Sequence, residues 1–176
     1  MNITVYCGVA LGNSPAYKQS AIDLGTWMAQ AGHTLVYGGG GIGMMGALAN
    51  AVLDHGGNVL GIIPQFLVDR EQLNPRIVNP VVVQTMAERK KLLCDNADAF
   101  VMLPGGIGTF EEITEVLSQI KLGFIAEPVF IVNIEGCYDH FVASLNELCR
   151  NGFLKEEESP YTVVASIAEL AAVIGA

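Results

Sequence analysis

Apolar residues along this chain follow two rhythms that alternate from one end to the other. Short solid runs of aliphatic, β-branched and aromatic residues stand at Ile3 to Cys7, Thr34 to Tyr37, Val59 to Ile63, Ala99 to Leu103, Val129 to Val132 and Tyr161 to Val164. Between them, apolar positions return every three or four residues over Pro15 to Ala31, Met44 to His55, Met86 to Asn96, Phe110 to Leu122, Cys137 to Arg150 and Ile167 to Ile174. Runs bounded by glycine and turn residues predict strands, and the three-to-four spacing predicts amphipathic helices. Because the strand runs are apolar throughout, both of their faces must be covered. That predicts a doubly wound α/β domain with a mostly parallel sheet and helices on each side. No linker, repeat or low-complexity stretch divides residues 1–176, so one domain is expected. The acidic run at Glu156, Glu157 and Glu158 is expected to be solvated surface.

Composition narrows the function classes. The 176 residues are 51% hydrophobic and 15% charged, with a mean hydropathy of +0.42, which excludes a disordered chain. So little charge for a surface of this size points to a homo-oligomer that hides apolar area. Eighteen acidic against nine basic residues give a net charge of −9, and bulk charge therefore opposes binding to nucleic acid. The first seventeen residues lack a basic segment and contain Gly8, Gly12 and Pro15, so no signal peptide is expected. The uncharged span Thr34 to Leu53 is long enough to cross a bilayer, but its glycines break it into a strand, a loop and a helix. Cys7, Cys94, Cys137 and Cys149 form no CxxC pair and have no histidine at zinc-site spacing. They are expected to be thiols of a reducing compartment, the cytoplasm, with no metal site.

Two glycine-rich loops follow predicted strands, where amides at a helix N-terminus can meet an anion. The first is Gly38-Gly39-Gly40-Gly41-Ile42-Gly43-Met44-Met45-Gly46, and the second is Pro104-Gly105-Gly106-Ile107-Gly108-Thr109. Neither carries the lysine of a triphosphate-binding P-loop. The first contains a GxGxxG match, but Ile62, Ile63 and Pro64 stand where the ribose-binding acid of a dinucleotide site belongs. For either loop alone, a tight turn with close helix packing is the plain alternative.

The helices beginning near Met86 and Phe110 both follow the capping-box pattern T-x-x-E, Thr85 with Glu88 and Thr109 with Glu112. Glu112 is thus either a cap or, lying about 40° from Val116 on the helical wheel, a carboxylate at the core seam facing a ligand. Arg89 projects from the middle of its helix's apolar arc, between Met86, Leu92 and Leu93. An unpaired buried guanidinium is costly, so Arg89 should meet an anion, either a ligand or a carboxylate. Lys90 lies at the edge of that arc and can snorkel to solvent. The three histidines, His33, His55 and His140, share no metal-ligand spacing, and no GxSxG elbow is present.

Met86-Ala87-Glu88-Arg89-Lys90 followed by Pro104-Gly105-Gly106-Ile107-Gly108-Thr109-Phe110-Glu111-Glu112 resembles the MxxRK and PGGxGTxxE signatures of the Lonely Guy family, cytokinin riboside 5′-monophosphate phosphoribohydrolases. The likeness extends through the Tyr37–Gly46 loop, the Ile63-Pro64-Gln65-Phe66-Leu67 turn and Cys7-Gly8, covering nearly the whole chain. It implies a Rossmann-like fold and a homodimer or larger assembly whose site is completed by the neighbouring subunit. It also implies hydrolysis of the N-glycosidic bond of a purine nucleoside 5′-monophosphate to free base and ribose 5-phosphate, without metal or redox cofactor. Arg89 and Glu112 would be the catalytic pair. Gly105, Gly106, Gly108 and Thr109 would bind the phosphate, Gly39, Gly40 and Gly43 would line the nucleotide pocket, and Met86 and Lys90 would contact substrate. The older description of such proteins as lysine decarboxylases lacks a pyridoxal-phosphate lysine context here. Val9-Ala10 and Ala87 depart from the hydroxyl and histidine residues of many members. A non-catalytic nucleotide or molybdenum-cofactor carrier, and a broad nucleotide nucleosidase of salvage, are the alternatives on the same fold.

Overall fold

The structure is a computed structural model that describes residues 1–68, 70, 72–155 and 161–175; the acidic run at 156–158 lies outside the described residues. Among these, seven strands are formed: β1 (Asn2–Tyr6), β2 (Thr34–Tyr37), β3 (Asn58–Pro64), β4 (Val81–Val83), β5 (Ala99–Met102), β6 (Val129–Val132) and β7 (Tyr161–Val164). Six α-helices alternate with them: α1 (Pro15–Gln30), α2 (Gly43–Asp54), α3 (Met86–Asp95), α4 (Ile107–Lys121), α5 (Asp139–Arg150) and α6 (Ile167–Ile174). All strand pairs are parallel, in the order β4-β3-β2-β1-β5-β6-β7. This is the doubly wound Rossmann-like sheet that the apolar runs predict.

β4 is the strand that the pattern does not reveal. It is three valines long and lies at the sheet edge, where Val81 and Val82 stay exposed, so it lacks the length of the other runs. Its presence carries the chain to the far edge before α3 returns it to β5, beside β1.

Side chains leave each strand alternately to the two faces. From β1 and the residue that follows it, Ile3, Val5 and Cys7 enter a core with α1, α2 and α6, while Tyr6 enters a second core with residues of α3, α4 and α5. Thr4 is a buried polar residue in this apolar sheet, and its hydroxyl donates to the carbonyl of Leu93 at 2.8 Å, tying α3 to β1. The expected capping box at α3 forms: the Glu88 amide donates to Thr85 Oγ1 at 3.1 Å, and the Thr85 amide donates to Glu88 Oε2 at 3.2 Å. The span 34–53 is divided among β2, a loop and α2, and among the described residues no helix is long and apolar enough to cross a membrane. The four cysteines are free thiols, Cys7 buried and the others half-buried.

Candidate active site

The strand order reverses at β1. After β1 the chain turns to α1 on one face, and after its neighbour β5 it turns to α4 on the other, which opens a crevice beyond the carboxyl ends of both strands. The two ends are held together there. The Leu103 amide donates to the Tyr6 carbonyl at 3.0 Å, and the Gly8 amide donates to the Pro104 carbonyl at 3.2 Å.

A cavity of about 290 Å³ occupies this crevice. Its floor is the end of β1, from Val5 to Val9, with Gly38 beyond β2. One wall is Met86 and Arg89 from α3; the opposite wall is the start of α4, from Gly106 to Thr109, together with Glu111 and Glu112. Arg89 and Glu112, widely separated in sequence, therefore face the same space.

Arg89 is 5% exposed. Its Nη2 donates to the Gly38 carbonyl at 3.1 Å and its Nε to the Ile62 carbonyl at 3.3 Å, while Nη1 lies 3.9 Å from Met86 Sδ. Two backbone carbonyls at strand ends thus hold the guanidinium in the cavity wall. Gly38 explains itself by this contact. A Cβ there would lie 2.0 Å from Arg89 Nη2.

The expected capping box of Thr109 and Glu112 does not form. Helix α4 begins earlier, at Ile107, with Gly106 as its N-cap and no side-chain cap. Its first helical bond runs from the Phe110 amide to the Gly106 carbonyl at 3.2 Å. The amides of Ile107, Gly108 and Thr109 precede that bond and end the helix dipole at the cavity mouth, the arrangement that takes an anion. Glu112 is released from a capping role. Its charge is felt within the site: burial, and then Glu112, push the Cys7 thiol above its ordinary range, and burial, Cys94 and Glu112 do the same to the Tyr6 phenol.

The first glycine loop is differently used. The amides of Met44 and Met45, at the start of α2, both donate to the Gly8 carbonyl, at 3.1 and 3.3 Å. The Gly41 amide donates to Gln72 and the Gly39 carbonyl accepts from Asn74. Gly43, at φ +60°, packs so closely that a Cβ would lie 2.0 Å from the Val9 carbonyl oxygen. Gly39, at φ +81°, packs on Ile63, and the Gly40 carbonyl accepts the Tyr37 hydroxyl at 3.1 Å. Gly39, Gly40 and Gly43 therefore shape the turn, and from this loop Gly38 and Met45 line the cavity.

Gly105 and Lys90 also stand outside the wall of this cavity. Gly105 borders a second cavity of about 360 Å³ across the Gly8–Val9 segment, together with Ala10, Tyr17, Phe110 and Tyr138. Lys90 Nζ lies 2.5 Å from both Glu111 Oε1 and Glu115 Oε2. Ala87 is exposed on α3. None of the three histidines lines either cavity, and among the described residues no group of acidic, histidine or cysteine side chains is arranged to hold a metal. Gly38 and Met45 from the first glycine loop and Leu67 from the turn at residues 63–67 line the site without having been singled out as site residues, and Tyr6 lines it without a prior signal, although its place at a strand end would have been one.

The doubly wound parallel sheet with a crevice beyond its strand ends defines a Rossmann-like α/β protein. Its solved neighbours include the molybdenum cofactor carrier protein from Chlamydomonas reinhardtii (TM-score 0.75, 20% identity, 99% of this chain and 95% of that one). The molybdenum cofactor binding protein from Rippkaea orientalis has a TM-score of 0.74 at 18% identity, covering 99% and 94%. At these identities the likeness is one of fold. Closer relatives are found by sequence. The rice cytokinin riboside 5′-monophosphate phosphoribohydrolase LOG is 41% identical over 88% of this chain, which spans 64% of that protein's length. The Arabidopsis thaliana protein of the same name numbered LOG1 is 40% identical over 86% of this chain and 71% of its own. The model of a family described as possible lysine decarboxylase matches residues 45–173. The chain belongs to this family, that of the LOG proteins. The decarboxylase description sits poorly with the cavity, because among the described residues that line it there is no lysine to form the Schiff base of a pyridoxal-phosphate enzyme.

Proposed function

We propose that the protein hydrolyses the N-glycosidic bond of nucleoside 5′-monophosphates of the AMP type, cytokinin riboside 5′-monophosphates included, to free base and ribose 5-phosphate. One observation carries this reading: Arg89 and Glu112, from different helices, line one cavity whose mouth is the uncapped N-terminus of α4. The names of the relatives point the same way.

The amides of Ile107, Gly108 and Thr109 bind the 5′-phosphate, with the Thr109 hydroxyl beside them. Anchoring the phosphate places the anomeric carbon over Glu112. As the C1′–N9 bond breaks, its electron pair leaves with the base and C1′ gains positive charge. The Glu112 carboxylate stabilises that charge and orients the water whose oxygen bonds to C1′, while the proton released by that water neutralises the departing base. Arg89 is too basic to donate a proton readily, so its part is electrostatic, stabilising the leaving base or the phosphate. Its anchoring to Gly38 and Ile62 means that little reorganisation is needed when charge develops.

A homodimer or larger assembly that completes the site fits the exposed apolar residues at the ends of α4, Ile107 at the mouth and Leu122 and Phe124 at the far end. Four free thiols suit a reducing cytoplasm, and the net charge of −9 disfavours nucleic acid as a partner. The test is overnight incubation with AMP, GMP, CMP, IMP and an N6-modified AMP, followed by chromatography of the products. Free base with equimolar ribose 5-phosphate from wild type, and loss on the order of 10² to 10³ in Glu112→Gln, is the expected result. Nucleotide bound but returned unchanged by wild type would favour a carrier.

A further inference from the structure

Glu112 does not stand alone on its helix. Glu111 precedes it and Glu115 follows one turn later, and both carboxylates point to the same cation, Lys90 of α3. Lys90 is the chain neighbour of Arg89, as Glu111 is of Glu112. The side chain of Lys90 is 22% exposed, against 51% for Glu111 and 35% for Glu115, so the ammonium lies between the helices with its stem covered. Both partners raise its pKa, in the order Glu111, then Glu115.

Each helix also has anchors of its own, to the sheet and to the core, rather than to the other helix. Arg89 is fixed to the ends of β2 and β3, and Thr4 fixes the end of α3 to β1. The first turns of α4 are seated by buried Thr109 beside Gly105, by the Phe110 ring on Tyr138 and Phe141, and by Ile113 and Val116 beneath. The two ion pairs from one ammonium to residues one helical turn apart link α4 directly to α3, on either side of Glu112. A lysine so engaged is also poorly placed to hold a substrate phosphate.

We infer that Lys90 is a positioning residue, a cross-tie between α3 and α4 that sets the Glu112 carboxylate at its working distance from the Arg89 guanidinium. This rests on the hydrolase reading above. Ion pairs of this exposure contribute little to stability, so the effect of removing the tie falls on the chemistry. Misplacing a reacting group by even a fraction of an ångström costs turnover.

The experiment compares wild type, Lys90→Met, Lys90→Arg, Lys90→Glu and the reversed pair Lys90→Glu/Glu111→Lys, in full kinetics with AMP and in thermal melting. In the reversed pair, a lysine at 111 sits between a glutamate at 90 and Glu115, with the overall charge restored. Lys90→Met is expected to lower kcat about tenfold with KM changed less than about threefold. Lys90→Arg keeps both ion pairs and stays within about threefold of wild type, and the reversed pair recovers most of what Lys90→Glu alone loses. A rise in KM with kcat intact, and no recovery in the reversed pair, would make Lys90 a direct phosphate ligand and overturn the inference. So would an unchanged kcat in Lys90→Met. If Lys90→Met does not fold, the arginine variant and the reversed pair decide. Absence of base release by the wild type itself would instead remove the hydrolase reading, and this inference with it.

Discussion

The glycines of Pro104-Gly105-Gly106-Ile107-Gly108 look alike in sequence but meet different surroundings, and that difference can be measured. A Cβ on Gly105 would lie 2.1 Å from Thr109 Oγ1, 2.8 Å from Thr109 Cβ and 2.8 Å from the Gly8 amide nitrogen. Thr109 is 3% exposed and has nowhere to go. Gly105→Ala must therefore push the end of β1 away from the start of α4, at the point where the cavity is built. Overpacking of this kind costs about 1 to 3 kcal/mol, and for a domain of this size each kcal/mol moves the melting temperature by about 2 to 4 °C. Gly106 and Gly108 have nothing within 4 Å of the same added atom. Gly108 lies inside the first turn of α4, where alanine is the better helix former by up to about 1 kcal/mol, so Gly108→Ala should melt at or slightly above the wild-type temperature. Its methyl group nevertheless borders the cavity, at the amides assigned to the phosphate. Melting curves paired with AMP turnover thus separate the two roles: Gly105→Ala loses stability and activity together, and Gly108→Ala loses activity alone. If Gly105→Ala melted like wild type, the close approach of β1 and α4 would be wrong; full activity in Gly108→Ala would refute the phosphate assignment.

Two further outcomes follow from the same geometry. Arg89→Met leaves the carbonyls of Gly38 and Ile62 without their donor, at about 1 to 3 kcal/mol each, offset in part by the burial of a neutral side chain. A net loss of about 1 to 3 kcal/mol in urea denaturation should accompany a fall in turnover on the order of 10² to 10³, and turnover within tenfold of wild type would exclude Arg89 from the chemistry. Alkaline pH should destabilise the protein. Burial pushes Cys137 up from an ordinary 9 to about 11 and also raises Cys7, Tyr37 and Tyr138. Above pH 9 the unfolded chain releases protons that the native state retains, so stability falls as pH rises from about 9 through 11; a melting temperature flat across that window would contradict the burial of these groups.

Much of this was legible in the chain, and the exceptions share a cause. Solid apolar runs of four or more residues marked six strands, five of them inside the sheet and β7 at its edge, whereas β4, only three residues long, left no such mark. Arg89 announced itself as a cation in an apolar arc. The pattern T-x-x-E was true at Thr85 and misleading at Thr109, because in the second case Gly106 and Ile107 had already begun the helix. Which glycine loop keeps free amides was decided by the Gly8 carbonyl, which takes those of Met44 and Met45; a contact between residues so far apart leaves no local pattern. The same is true of the meeting of Lys90 with Glu111 and Glu115.

The central claim is that an acid and a guanidinium confront a sugar whose phosphate rests on the start of α4. The structure of Glu112→Gln with AMP bound tests it most directly. The phosphate should lie on the amides of Ile107, Gly108 and Thr109, with C1′ between residue 112 and Arg89 and a water within hydrogen-bond reach of both C1′ and the residue 112 amide. A ribose seated away from both side chains, with the phosphate elsewhere, would contradict the account.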